Sequence, residues 1–211
     1  MRKKGRTLDF TESTMGYLTG LSDYLDNQYG ASIFDRALAD SGLWNLHVHG
    51  QRVIAARIIE NLIYDIKIEE SGKSEQILPK IQVKFLYPIE LTDAVGPLIK
   101  LDPKVKALKR DPIIYPHQRY FVKNKTLFPL MQEKQVVFVT LLEGEVVRGL
   151  VAGFSRYDLT MHLKGGKPLT ILRHSILDVR DKKGRCYLKS FQEVHKDWIK
   201  SNFYQEDAQI P

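Results

Sequence analysis

A single cysteine, Cys186, stands in 211 residues. That excludes an internal disulfide and points to a reducing compartment. No apolar run approaches the roughly 20 residues that span a bilayer. The opening MRKKGRTLDF is basic but has no apolar stretch behind it, so it does not read as a secretory signal. A cytoplasmic protein is expected. Glycine-rich phosphate loops are missing: Gly165-Gly166 reads as a hairpin tip, not a strand-to-helix turn. No carboxylate pair stands out, and Cys186 has no nucleophile pattern around it. Neither an enzyme nor a bound cofactor is expected. Prolines number nine, and five of them (Pro88, Pro97, Pro103, Pro112, Pro116) crowd into residues 87–125. No long helix can run there, because proline removes an internal donor and clashes with the preceding turn.

What is present is a folded composition, 43% hydrophobic with 27% charged residues. The net charge of +7 and pI near 9.3 are common among nucleic-acid binders, though charge says nothing of fold.

The second half repeats the first. LHVHGQRVIAARIIENLIYDIKIEESGKSEQILPKIQVKFL from Leu46 matches TLLEGEVVRGLVAGFSRYDLTMHLKGGKPLTILRHSILDVR from Thr140 in its order of strands and turns. Gly50 and Gly144 are 94 apart (144 minus 50), whereas Tyr64 and Tyr157 are 93 apart (157 minus 64). One residue gained or lost between them is the simplest reading. A lag held over this length means one fold used twice. Leu127-Phe128 lies 94 residues after Ile33-Phe34 (127 minus 33), which brings a leading helix into the repeat.

Helical spacing of Met15, Leu18, Leu21 and Leu25 predicts a helix over 13–29, ended by Gly30. Ser32 with Asp35 marks the start of a second helix, over 33–40. Strands are predicted at 44–49, 51–60, 64–69, 76–79 and 81–86, where Val, Ile and Tyr dominate. A helix over 126–134 leads the second copy. Its strands are expected at 135–142, 145–154, 157–163, 169–173, 176–180 and 186–191, with a last helix over 192–204. Gly149 and Gly153 lie within a strand and signal a bend or a close backbone approach. The expected architecture is mainly β with flanking helices, as two tandem five-stranded small barrels of SH3 type. The boundaries are an N-terminal extension 1–30, a first module 31–87, a basic connector 88–125, a second module 126–191 and a C-terminal helix 192–211.

Val137 to Val179 resembles the bacterial Sm-like RNA chaperone family, Hfq. The resemblance is carried by Leu141-Leu142-Glu143-Gly144 with Gly149, by Gly153-Phe154-Ser155-Arg156-Tyr157, and by Leu172-Arg173-His174-Ser175-Ile176. The family shows an Asn-Gly turn, Ser-Phe-Asp-Gln-Phe and Tyr-Lys-His-Ala-Ile at these places. It implies an Sm fold that assembles edge to edge into rings of six modules, so three chains would make a pseudo-hexamer. It also implies a face that binds single-stranded RNA, U-rich or A-rich. Carried over by position, Tyr157 stacks a base, Arg156 is its polar neighbour, and Arg173-His174 contact base and phosphate. Lys164, Lys167, Lys182, Lys183 and Arg185 complete the expected RNA-binding set. Leu172, Glu143 and Pro129 depart from the family pattern. Read without the family, Tyr157 serves equally as a packing tyrosine and His174 as a locally bonded turn residue.

In the first module Ile63 replaces Arg156, and Pro79-Lys80 stands at Arg173-His174. Residues 44–86 hold six Lys/Arg and five Asp/Glu, against ten and five in 135–191. The second module is therefore expected to dominate any RNA contact. A degenerate scaffold that binds protein is the rival reading. The connector's Lys100, Lys104, Lys106, Lys109, Arg110, Arg119, Lys123 and Lys125 form either a track for phosphates or a solvated surface. His47 and His49 share a strand face, either as half a metal site or as two ordinary histidines.

Overall fold

The computed structural model describes residues 18–70 and 72–188. Two short helices come first, α1 (Leu21–Gln28) and α2 (Ile33–Asp40). Ser32 and Asp35 close a capping box at the start of α2, each side chain bonding the other's backbone N–H. Five strands follow: β1 (Leu43–Val48), β2 (Arg52–Asn61), β3 (Asp65–Glu70), β4 (Gln76–Pro79) and β5 (Val83–Pro88). The segment after them carries α3 (Thr92–Val95), β6 (Ile99–Leu101) and α4 (Pro103–Lys106). Then come α5 (Asn124–Gln132), β7 (Val136–Leu141), β8 (Glu145–Phe154), β9 (Asp158–His162), β10 (Pro168–Leu172) and β11 (Ile176–Asp181). Among the described residues no helix is long and apolar enough to cross a membrane.

All eleven strands among the described residues belong to one antiparallel sheet, ordered β11-β7-β8-β9-β10-β5-β1-β2-β3-β4 with β6 beside β8. β6 pairs the part of β8 that β9 leaves free. The expectation of two tandem small barrels is corrected here. The sheet is open, and the two five-strand sets are continuous through β5 and β10, where Thr170 faces Leu86 and Ile171 faces Phe85. The physical reason lies in the composition of β5, which is buried at every position from Val83 to Tyr87. Such a run suits a central strand with a neighbour on each side. Phe85 and Tyr87 enter the core of the second set, while Leu172 enters the core of the first. Burying each such side chain contributes roughly 1.5–3 kcal/mol, so the junction behaves as core.

The repeat is closer than the sequence suggested. Ile66 pairs Asn61 as Leu159 pairs Phe154, a lag of 93 (159 minus 66). Leu46 faces Leu86 as Val139 faces Val179, at the same lag. Even the irregularities coincide: Ile58/Glu60 matches Val151/Gly153. No residue has been gained or lost. The two turns are equally long, and the glycine has moved by one place within them, from Gly50 to Gly144. Gly144 has φ +96, and a Cβ there would lie 2.8 Å from the Asp102 carbonyl oxygen. Gly149 is a close approach, since its Cβ would meet the His162 carbonyl oxygen at 2.6 Å.

The 93-residue lag also revises one correspondence. Lys80 and Ile81, not Pro79 and Lys80, occupy the places of Arg173 and His174. Both pairs open matching 3-10 turns, Lys80–Gln82 and Arg173–Ser175.

The segment after β5 is no free linker. Val95, Val105 and Val122 are buried in the larger core. Asp102 accepts from the N–H groups of Lys104 (2.8 Å) and Val105 (3.3 Å), and its own N–H donates to Gly144 (2.7 Å). Of the helix predicted over 13–29, Leu21–Gln28 is helical, 18–20 form a turn with Gly20 at φ 85, and 13–17 lie outside the described residues, as does the helix predicted over 192–204. The strand predicted at 186–191 is reduced to a single bridge, Arg180 with Cys186, within the described part.

Candidate functional site

Two turns of the second strand set meet at one end of the sheet. In the turn between β8 and β9, the Ser155 hydroxyl accepts from the N–H groups of Tyr157 and Asp158, both at 3.1 Å. This local bonding is what serine supplies in tight turns. Arg156 is held through its N–H to the Tyr29 carbonyl (2.9 Å). The Arg173 N–H donates to the Tyr157 carbonyl (2.9 Å), which ties this turn to the one between β10 and β11. The first set repeats the tie with Lys80 and Tyr64 (2.9 Å).

The result is a cleft of about 730 Å³, lined by Arg156, Tyr157, Arg173 and His174 together with Lys80 and Phe121. Tyr157 is 50% exposed, and the Arg156 guanidinium lies 5.9 Å from its ring centre. Arg173 is only 8% exposed. Its Nη2 donates to Asn124 Oδ1 (2.9 Å), and its guanidinium sits 5.3 Å from the Phe121 ring and 5.7 Å from Phe154. Burial pulls its pKa below the usual arginine value, with Tyr29 and Asp158 partly offsetting this. Nη1 is buried without a hydrogen-bond acceptor.

His174 has another task. Its Nε2 meets the Val83 carbonyl at 2.9 Å. Burial first, then the nearby Arg119 charge, lowers its pKa to about 4. At neutral pH it is an uncharged strap between the two strand sets, so it brings no positive charge to the cleft.

The remaining predicted residues are dispersed. Lys164 lines a second cleft of about 970 Å³ with Lys100, Arg148 and Phe138, between β6 and the β9–β10 hairpin. This larger cleft has a mostly aliphatic floor and an arginine already over Phe138 (5.6 Å). Lys167 follows in the same hairpin, where its carbonyl accepts from the Leu163 N–H (2.9 Å). Lys182, Lys183 and Arg185 form the turn after β11. There Asp181 Oδ1 accepts from the N–H groups of Lys183 (2.9 Å) and Arg185 (2.8 Å), and none of the three lines the 730 Å³ cleft.

His47 and His49, read from the sequence either as half a metal site or as two ordinary histidines, take separate partners. His47 stacks on Phe85 (4.1 Å) and shares a hydrogen bond with the Tyr87 hydroxyl (3.1 Å), while His49 approaches Glu143 (3.8 Å). Among the described residues no group of three or more His, Cys, Asp or Glu is placed to hold a metal ion. Arg119 spends its Nε on the Ile113 carbonyl (2.9 Å) and its Nη2 on the Ile114 carbonyl (2.8 Å), so this part of the basic track braces its own chain.

Sequence reasoning missed Asn124, Phe121 and Lys80 as neighbours of Arg173. The run Arg119-Tyr120-Phe121, basic beside aromatic in an otherwise irregular stretch, is the signal that could have drawn attention. Comparison with known protein families, with curated proteins and with solved structures finds no match.

Proposed function

We propose that this chain is a single-stranded RNA-binding protein of Sm-like kind, related to the Hfq chaperones, with two Sm-like strand sets in tandem. It acts without catalysis or a cofactor, in the cytoplasm, as an RNA chaperone or post-transcriptional regulator. The observation that carries the reading is the cleft that sets the half-exposed Tyr157 beside the guanidiniums of Arg156 and Arg173. Aromatic faces stack unpaired bases of any sequence, and guanidiniums pair with phosphates. Register repeated at 93 residues, with the same bulges, supports the tandem relationship.

Fluorescence anisotropy with labelled U-rich and A-rich hexanucleotides across a salt series tests it. Binding that weakens steeply with salt is expected, and Arg156→Ala and Tyr157→Ala should each reduce affinity about tenfold. Absence of binding at low salt, or indifference to both substitutions, sinks the proposal.

The rival, a scaffold that binds protein, draws on Ile63 and Tyr64, which are 84% and 81% exposed at the tip of the first set. Salt-insensitive capture of a partner protein with no RNA affinity would favour it.

The β5–β10 pairing supports the ring as the mode of assembly. Three chains would repeat it by setting β4 of one against β11 of the next, completing a ring of six sets. β11 carries its own chain on that edge, because the Tyr187 N–H donates to the Val179 carbonyl (2.9 Å). A neighbour must displace this bond. Association is therefore expected to be concentration-dependent, and Tyr187→Pro, which removes the donor, should favour the trimer several-fold. Light scattering that shows a monomer for both proteins at high micromolar concentration excludes the ring.

A further inference from the structure

We infer that Phe121 is a second stacking platform, so that the cleft takes two consecutive unpaired nucleotides, one base on Tyr157 and one on Phe121, with the linking phosphate on Arg173. This rests on the RNA reading above and specifies what that site binds.

Phe121 is 57% exposed although it adjoins a well-packed core. It does not dangle. The next residue, Val122, is buried, and the preceding stretch is braced by Arg119 on the Ile113 and Ile114 carbonyls and by Arg110 on the Tyr120 hydroxyl (3.2 Å). An exposed ring held in place needs little ordering to receive a base, and that preorganisation favours binding.

Arg173 stands beside this ring with one donor committed to Asn124 and another, Nη1, buried without an acceptor. A buried, unsatisfied donor on a charged group costs free energy until a ligand completes it. Phosphate oxygens suit a guanidinium, which pairs with them through two parallel N–H donors. Arg156 with Tyr157 and Arg173 with Phe121 are thus two arginine–aromatic pairs lining one cleft. Its volume of about 730 Å³ falls within the range of built small-ligand sites. At the matching turn of the first strand set the Lys80 amine donates to the carbonyls of Leu62 and Ile63 and lies 5.7 Å from the ring of Phe34, which is only 2% exposed and offers no open face.

The test is competition for a fluorescein-labelled U-hexanucleotide by the dinucleotide UpU and by uridine monophosphate. Wild type should prefer UpU by about tenfold or more, as expected for one added stacked base. Phe121→Ala should abolish that preference, and Phe121→Trp should restore it, with its indole fluorescence quenched as UpU binds. Thermal unfolding of each variant checks that the exposed site tolerates the change. Hexanucleotide binding with the UpU preference intact in Phe121→Ala overturns this inference and leaves the RNA reading standing. Failure of wild type to bind the hexanucleotide at about 50 mM salt overturns both.

Discussion

Lowering the pH from 7 to 4 is expected to remove about 6 kcal/mol of stability through two histidines alone, because both are buried uncharged. His47 and His174 each have a pKa lowered from 6.5 to about 4. Burial is the main cause for both. Lys84 adds to it for His47 and Arg119 for His174. The unfolded chain takes up a proton at each ring near pH 6.5, while the folded chain resists until about pH 4. Between those values the unfolded state binds more protons, so stability falls as pH falls. Each ring accounts for roughly 3 kcal/mol of that loss by pH 4. Asp158 works the other way: burial raises its pKa against the Ile33 N–H and the Arg36 charge, but it matters only in the carboxylate range. Urea unfolding at pH 7, 6, 5 and 4 reads the slope. His47→Phe, which keeps a ring against Phe85, should flatten it by about half. A stability curve level from pH 7 to 5 would show that these rings are not buried neutral. Since His174 straps the cleft to Val83, the proposed RNA binding should weaken over the same pH window.

Lys84→Met is expected to cost about 3–5 kcal/mol, the range for breaking a buried ion pair from one side. Lys84 is 1% exposed and donates to both Glu143 and Glu145. Glu143 in turn accepts from the N–H groups of Gly50 (2.8 Å) and Gln51 (3.3 Å). The network therefore joins β5 and the β1–β2 turn to the β7–β8 turn, across the junction of the two strand sets. Burial alone would raise the Glu143 pKa; Lys84 and the Gly50 N–H outweigh it and hold the carboxyl below its usual range. Removing Lys84 leaves two carboxylates, with side chains 16% and 11% exposed, without their cation. Adding Glu143→Gln and Glu145→Gln should recover most of the loss, because no unpaired charge then stays buried. Denaturant unfolding of the single and triple variants is the measurement. If Lys84→Met costs less than about 1 kcal/mol, the network belongs with surface pairs and does not lock the junction.

Much of the architecture was legible in the sequence because it is written in local patterns. β3 alternates Ile66 and Ile68 inward with Lys67 and Glu69 outward, and the structure keeps that alternation. The capping box of α2 was visible as Ser32 and Asp35. Most strands were placed to within one or two residues. β6 escaped notice because three residues between prolines carry no period, and only pairing with β8 makes them a strand. The Gly50 and Gly144 positions misled the count between copies, because the first turn has two left-handed positions, Gly50 (φ 80) and Gln51 (φ 56), and Gly144 (φ 96) is the counterpart of the second, Gln51.

The candidate site was legible in part. Arg156, Tyr157 and Arg173 do converge, as the resemblance implied, but the sequence could not show that Arg173 is buried, that His174 is neutral, or that Phe121 arrives from the connector. Those are consequences of contacts between distant segments.

What the sequence determined by itself is a β-rich duplication, since side-chain alternation and turn chemistry are local and repeat with the chain. Only the tertiary structure decided that both copies share one open sheet through β5 and β10, and that the connector packs into the core. Strand edges pair with whatever complementary edge is brought near, and burial, not residue type, sets whether an arginine or histidine is charged surface or internal brace.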